Sequence, residues 1–235
     1  MSPDIRTFSS GELASAAANQ FAVHIADVIA KRGRCRFGLS GGRTPRAIYE
    51  HMAMLPIAWN DVQLFWSDDR CVPPESDRSN YGMALAALIS RVDIPATNVH
   101  RIESERSPGV AASRYAELLK CEPIDVLLLG MGSDGHTASL FPGADLGSTA
   151  RVVATKSPVP PYARVSLTIR AINECGAVYL VVAGSEKADR LVEVASQIER
   201  GDPTSPTAFV QPASRRLIWI VDRPASSRLK GHLHG

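Results

Sequence analysis

The apolar positions of this chain keep two rhythms, one helical and one of short unbroken runs, and these alternate along its length. Leu13, Ala17, Phe21, Ile25, Val28 and Ile29 recur on one helical face. Ser9-x-x-Glu12 in front of them can form a capping box, and Gly33 stops the helix just after Lys31. Cys35 to Leu39 is short and apolar and predicts a strand. The turn Ser40-Gly41-Gly42-Arg43-Thr44-Pro45 then opens a second helix, with Thr44 as N-cap and Pro45 in the first helical position. Val62 to Trp66 reads as the next strand and delivers Ser67-Asp68-Asp69-Arg70 into a Pro-rich loop.

Helix resumes from Asn80 through Leu88 and again from Pro108 to Leu119. Val126 to Leu129 is a four-residue apolar run, the signature of a strand buried on both faces. Gly130, Gly132 and Gly135 follow, surrounding Ser133, Asp134 and His136, and Thr137 to Phe141 can start a helix. Beyond Pro142 the rhythm loosens. Val152 to Thr155, Arg164 to Ile169, Ala177 to Ala183 and Leu217 to Val221 read as strands, and Glu186 to Ile198 as a helix. The loop Ser157-Pro158-Val159-Pro160-Pro161 separates the first two, and the tail carrying Ser226, Ser227, His232 and His234 is expected to be loose.

Strands alternating with helices, most of them ending in polar or Gly-rich turns, predict an α/β fold. The expected form is three-layer and Rossmann-like, with a mostly parallel central sheet flanked by helices. No internal repeat or linker divides the chain, so residues 1–235 are read as one domain.

Composition narrows the function classes. The chain is 45% hydrophobic, enough for a full core, and its net charge of +2 is too mild to point to nucleic acid or a membrane surface. No apolar run approaches the length of a membrane span, and the N-terminus shows Asp4, Arg6 and polar Ser9 to Gly11 where a signal peptide needs apolar residues. Cys35, Cys71, Cys121 and Cys175 stand far apart without a C-x-x-C pair, the usage expected of reduced thiols in a cytoplasmic protein. No pair of histidines has zinc-ligand spacing.

Candidate chemistry collects at the strand ends. Gly130-Met131-Gly132-Ser133-Asp134-Gly135 fits a dinucleotide fingerprint, but that motif needs an acid about 20 residues on, and no Asp or Glu occurs between Leu146 and Ile172. The Ser40 to Pro45 turn lacks the Gly-Lys-Ser/Thr of a nucleotide P-loop. It still offers Ser40, the amides of Gly41 and Gly42, and Arg43 at a helix N-terminus, enough to hold a single phosphate. Arg70, Arg164 and Lys187 lie at or near other strand ends and can add to that grip. His136 follows an acid and a glycine at a turn where the backbone can approach a substrate. An imidazole, whose ordinary pKa lies near neutrality, can take a proton from water there without a metal. Asp134 or Asp68 can orient the imidazole or the water, and the residue pattern does not rank them.

These residues resemble one family, the 6-phosphogluconolactonases of the pentose phosphate pathway. The matching segments are Gly38-Leu39-Ser40-Gly41-Gly42-Arg43-Thr44-Pro45, Trp66 to Pro73 with Ser79-Asn80, and Gly130 to Gly143. Weaker matches are Arg164 to Thr168, Gly184-Ser185-Glu186-Lys187 and Trp219 to Asp222. Two departures are Asp69, where the family usually has Glu, and Ser166, where it usually has Thr. The resemblance implies hydrolysis of 6-phospho-D-glucono-1,5-lactone to 6-phospho-D-gluconate, with no metal or cofactor, by a monomer or homodimer. Two alternatives stay open: a glucosamine-6-phosphate deaminase/isomerase-like enzyme, and a non-catalytic sugar-phosphate sensor. The deaminase motif carries an acid where this chain has Phe141, and Phe cannot move a proton.

Overall fold

The computed structural model describes residues 3–229. Its elements run in the order β1 (Asp4–Phe8), α1 (Leu13–Arg32), β2 (Cys35–Leu39), α2 (Arg43–Met52), β3 (Val62–Trp66), β4 (Asp68–Arg70), α3 (Asn80–Ala87) and α4 (Pro108–Leu118). After these come β5 (Val126–Gly130), β6 (Val152–Lys156), β7 (Ala163–Leu167), α5 (Ile169–Asn173), β8 (Ala177–Val182), α6 (Ala188–Arg200), β9 (Leu217–Asp222) and α7 (Arg223–Ser226).

The unbroken apolar runs become the centre of the molecule. β2, β8 and β9 are buried at every residue, as a parallel strand covered on both faces must be. Six strands pair in the order β1-β9-β8-β5-β2-β3, all parallel. From β2 the chain moves outward to β3, and it later returns to place β5 on the other side of β2. The strand order therefore reverses between β2 and β5. In open α/β sheets that reversal leaves a crevice at the carboxyl ends of the two strands. Ser40 follows one of them and Met131 the other.

A second, antiparallel sheet of order β4-β7-β6 stands beside the first. Sequence patterning did not predict it. β3 and β4 are consecutive, and the chain changes sheet at Ser67, whose amide donates to Leu39 (2.7 Å) while its carbonyl accepts the amide of Leu167 (2.7 Å). The register sets Asp68 opposite Ser166 and Arg70 opposite Arg164.

Several expectations need correction. Thr137 to Phe141 is not a helix: Thr137 bridges to Leu140, and Ala138 sits at φ 48°. The Thr137 hydroxyl donates to the Gly130 carbonyl (2.8 Å), tying the segment to the strand end and leaving no room for a helical turn. α2 begins at Arg43 with Gly42 in the capping position, so Thr44 and Pro45 are its second and third residues. β7 ends at Leu167 because Thr168 caps α5, its hydroxyl accepting the amide of Ala171 (3.2 Å). α1, at 20 residues, is long and apolar enough by length and composition to cross a membrane, contrary to the reading of the chain. In the fold it buries Leu13, Ala17, Phe21 and Ile25 as part of the core. Ser226 and Ser227 belong to a short helix and its cap, not a loose tail, whereas His232 and His234 lie outside the described residues. β1 was not expected, since five residues with two half-buried side chains carry too little pattern.

Candidate active site

A cleft of about 260 Å³ opens at the β2/β5 reversal, lined by residues that include Ser40, Gly41, Gly42, Asp68, Arg70 and Asn80 on one side. The other side brings Gly130, Gly132, His136, Ala138 and Lys187. Of the residues singled out from sequence, Arg43, Asp134 and Arg164 are not part of this lining. Arg43 is exposed on the first turn of α2.

The His136 turn is built from its own backbone. The Gly135 amide donates to Gly132 (3.0 Å), and the Gly132 amide donates to His136 (2.8 Å). Gly135 has φ 85°, a conformation that costs glycine little and a branched residue much. The turn is held from outside by the segment before β9: Thr207 donates both its amide (3.1 Å) and its hydroxyl (2.9 Å) to the Gly135 carbonyl. Gln197 on α6 fixes that segment by accepting from Thr204 and Ser205.

Within the turn, Oδ1 of Asp134 lies 2.6 Å from Nδ1 of His136 and also accepts the His136 amide at 3.1 Å. Burial raises the Asp134 carboxyl, but the hydrogen bonds from His136 and the imidazole's charge outweigh it. The group is left below the ordinary carboxylate value. With Nδ1 so engaged, Nε2 is the ring nitrogen left for chemistry. Phe141 packs against the imidazole, ring centroids 4.7 Å apart and tilted by 43°.

Asp68 does not reach His136. Its Oδ1 accepts from Ser67 (2.8 Å) and its Oδ2 from Ser139 (2.7 Å), while Ser67 meets the buried Ser40 hydroxyl at 2.8 Å. Ser40 also donates to the Leu128 carbonyl (2.7 Å), so its side chain is committed to holding β2, β3 and β5 in place. The amides of Gly41 and Gly42 have no hydrogen-bond partner among the described residues. Ser166, the departure from Thr, accepts the Ser139 amide (3.1 Å), a bond either hydroxyl can make.

The cations meet across the second sheet. Arg70 lines the cleft and donates to the Arg78 carbonyl at 2.7 Å. Arg164, its cross-strand partner, is buried, bonds only to Ser157 (3.3 Å), leaves Nε without a partner and forms no ion pair among the described residues. Two guanidiniums side by side, one of them desolvated, place positive charge on this side of the cleft, with the carboxylates of Asp68 and Asp69 next to them.

Asp69, which sequence comparison marked as a departure, does not hold the Arg70 side chain. It is fully buried, and its carboxylate accepts the amides of Arg70 (2.7 Å), Asn80 (2.7 Å) and Tyr81 (3.1 Å). It thereby closes the Arg70–Asn80 loop onto the start of α3. Burial pushes its pKa up to about 6 against the pull of those donors, and Asp68 adds to the rise. Asn80 itself was missed as a cleft residue. It follows the Ser79 cap, its side chain donates to the Asp68 carbonyl (2.9 Å), and its carboxamide fills the space a Cβ on Gly41 would need.

Residues 9–219 match the family described as glucosamine-6-phosphate isomerases/6-phosphogluconolactonase. The 6-phosphogluconolactonase of Nostoc sp. is 36% identical over 211 residues, spanning 86% of this chain and 87% of the relative. The crystal structure of 6-phosphogluconolactonase from Thermotoga maritima superposes with a TM-score of 0.84 at 30% identity, covering 94% of this chain and 99% of that one. A monomeric glucosamine-6-phosphate deaminase also superposes, with a TM-score of 0.82 over 96% and 99% of the two chains. At 19% identity that likeness is one of fold.

Proposed function

The chain belongs to the glucosamine-6-phosphate isomerase/6-phosphogluconolactonase family, and on that footing we propose that it hydrolyses 6-phospho-D-glucono-1,5-lactone to 6-phospho-D-gluconate. The observation that carries this reading is the Asp134–His136 pair at the edge of a cleft whose far wall is cationic.

The substrate phosphate sits against Arg70 and Lys187, with the free amides of Gly41 and Gly42 as further donors. Arg164 strengthens the field from behind Arg70, and Arg43 adds charge from outside the lining. This anchor makes attack on the lactone a positioned event. Asp134 holds the Nδ1–H tautomer, so Nε2 of His136 takes a proton from water. The hydroxide adds to the lactone carbonyl carbon, and the resulting oxyanion is stabilised by amide donors or a cation of the cleft. As the carbonyl re-forms, the bond to the ring oxygen breaks, and the imidazolium returns its proton to that oxygen. Water is consumed, the ring opens, and the product leaves as the acid. Asp68 takes no direct part: it fixes Ser139 beside the His136 turn and holds the strand that carries Arg70.

Phe141 argues against deamination, because it covers the imidazole at the position where the deaminase motif carries its acid. The test is lactone hydrolysis with the spontaneous rate subtracted. His136→Ala is expected to lower kcat by about 10²- to 10⁴-fold, the usual worth of a positioned base. An unchanged rate would refute the assignment, and ammonia release from glucosamine 6-phosphate would support the rival instead.

A further inference from the structure

A second cavity, of about 320 Å³, lies between α1 and the β1-β9-β8 edge of the sheet and shares no residue with the cleft. Tyr179 is the third residue of β8, and Arg216 immediately precedes β9. The cavity therefore sits toward the amino ends of these strands, away from the edge where the cleft opens.

Its floor is a buried polar pair. His24 is 7% exposed and Tyr179 is 5% exposed, and Nδ1 of His24 meets the Tyr179 hydroxyl at 2.9 Å. Nε2 of His24 has no hydrogen-bond partner among the described residues and belongs to a side chain that lines the cavity. An imidazole on the sheet-facing side of a core helix, left half-satisfied, is an uncommon use of a position that any apolar residue could fill. If the tyrosine hydroxyl donates to Nδ1, Nε2 carries its hydrogen toward the cavity.

The rim carries two guanidiniums, Arg6 and Arg216, and one carboxylate, Asp27. Arg216 is exposed and enters no ion pair among the described residues. Arg6 is tethered by Asp4 (2.6 Å) and Gln20 (2.6 Å), which fixes its guanidinium at the mouth. Asp27, Asn19 and Gln20 complete the wall with oxygen acceptors. We propose that this cavity is a second ligand site, for a small anion that also carries hydroxyl groups, a hydroxylated phosphate or carboxylate. The anionic end meets Arg216, Arg6 and Nε2 of His24, and the hydroxyls donate to Asp27 and the amides. A bare anion is a poorer fit, because Asp27 repels it and finds no donor. A purely apolar ligand would strand His24.

Each site holds one histidine, so the two can be read separately in the whole protein by NMR of labelled imidazoles. Glycerol 3-phosphate and malate serve as probes, one for each kind of anion, with inorganic phosphate as the bare-anion control. The expected result is a saturable shift of the His24 resonances with glycerol 3-phosphate, malate or both, and a weaker response to inorganic phosphate. Arg216→Ala, a surface change, should weaken that response about tenfold or more, as loss of a charge-assisted hydrogen bond does. It should leave any His136 response intact. The proposal is overturned if His24 stays still while probes shift His136, or if Arg216→Ala leaves the His24 response unchanged.

Discussion

One carboxylate oxygen of Asp134 serves both ends of His136, the ring Nδ1 at 2.6 Å and the backbone amide at 3.1 Å. The acid therefore fixes the tautomer and the ring orientation together, and in the proposed reaction it would also stabilise the imidazolium formed after proton transfer. Asp134→Asn keeps the shape but removes the charge and allows the wrong tautomer. The expected loss in kcat is about 10²-fold or more with little change in KM. A variant whose KM rises while kcat holds would place Asp134 in substrate binding instead.

Gly132 leaves room for that ring. A Cβ at this position would overlap Nδ1 and Cε1 of His136. Gly132→Ala should fold, at a cost of about 1–3 kcal/mol for overpacking. It should lose at least about tenfold in kcat, because displacement of the proposed base by a fraction of an ångström is enough. Thermal unfolding beside steady-state kinetics checks both halves. Full activity in a folded Gly132→Ala protein would mean that the imidazole does not work from its present position.

Thr207 reaches the same turn from outside, through two hydrogen bonds to the Gly135 carbonyl. Thr207→Val keeps the amide bond and the volume but deletes the hydroxyl, leaving one acceptor less well satisfied. A fall of a few-fold in kcat with unchanged KM is expected, and the measurement is the kcat/KM split over the two variants Thr207→Val and Thr207→Ser. The serine protein should behave as wild type; a loss in Thr207→Ser with Thr207→Val unaffected would mean that the methyl group, not the hydroxyl, matters.

How much of this was legible in the chain differs by kind of signal. The buried parallel strands announced themselves as apolar runs, and Gly130 to His136 announced a turn by glycine spacing. The second sheet left no such trace, because β4 is Asp68-Asp69-Arg70 and pairs with a strand almost a hundred residues later. Hence the Arg70–Arg164 pairing was invisible. The failed helix at Thr137 shows a local competition that sequence does not score: a hydroxyl bond to Gly130 and a left-handed Ala138 outweigh ordinary helix propensity. The choice between Asp68 and Asp134 as partner of His136 also waited on geometry. Both acids are two residues or fewer from a glycine- or serine-rich turn, and only one points at the ring.

Arg164 carries a buried guanidinium that forms no direct ion pair among the described residues, although the charges of Asp68 and Asp69 reach it beyond ion-pair distance. Such a group costs stability, and burial together with Arg70 depresses its pKa. Arg164→Met, of similar length and apolar, is expected to keep or raise Tm while raising KM for the phosphorylated lactone about tenfold. A drop in Tm with KM unchanged would reassign Arg164 to structural support of the Ser157 loop.

Asp69 makes the loop behind Arg70 sensitive to pH in an uncommon direction. Its pKa is about 6 in the folded protein against 3.8 for an unburied carboxyl. Between those values the folded chain binds the proton more tightly than the unfolded chain, so this group's contribution to stability falls as pH rises through the window. It levels off above about pH 6. Most carboxylates act the other way, losing stability as pH falls. The span corresponds to about 3 kcal/mol. Asp69→Asn removes the titration, although its amide nitrogen faces the Tyr81 amide and the variant is less stable at low pH. Urea unfolding of both proteins from about pH 4 to pH 7 isolates the effect as a difference. The advantage of wild type over Asp69→Asn should shrink as pH rises to about 6 and then stay constant. An advantage that grows with pH would mean that the backbone donors of Arg70, Asn80 and Tyr81 outweigh the desolvation of the carboxylate.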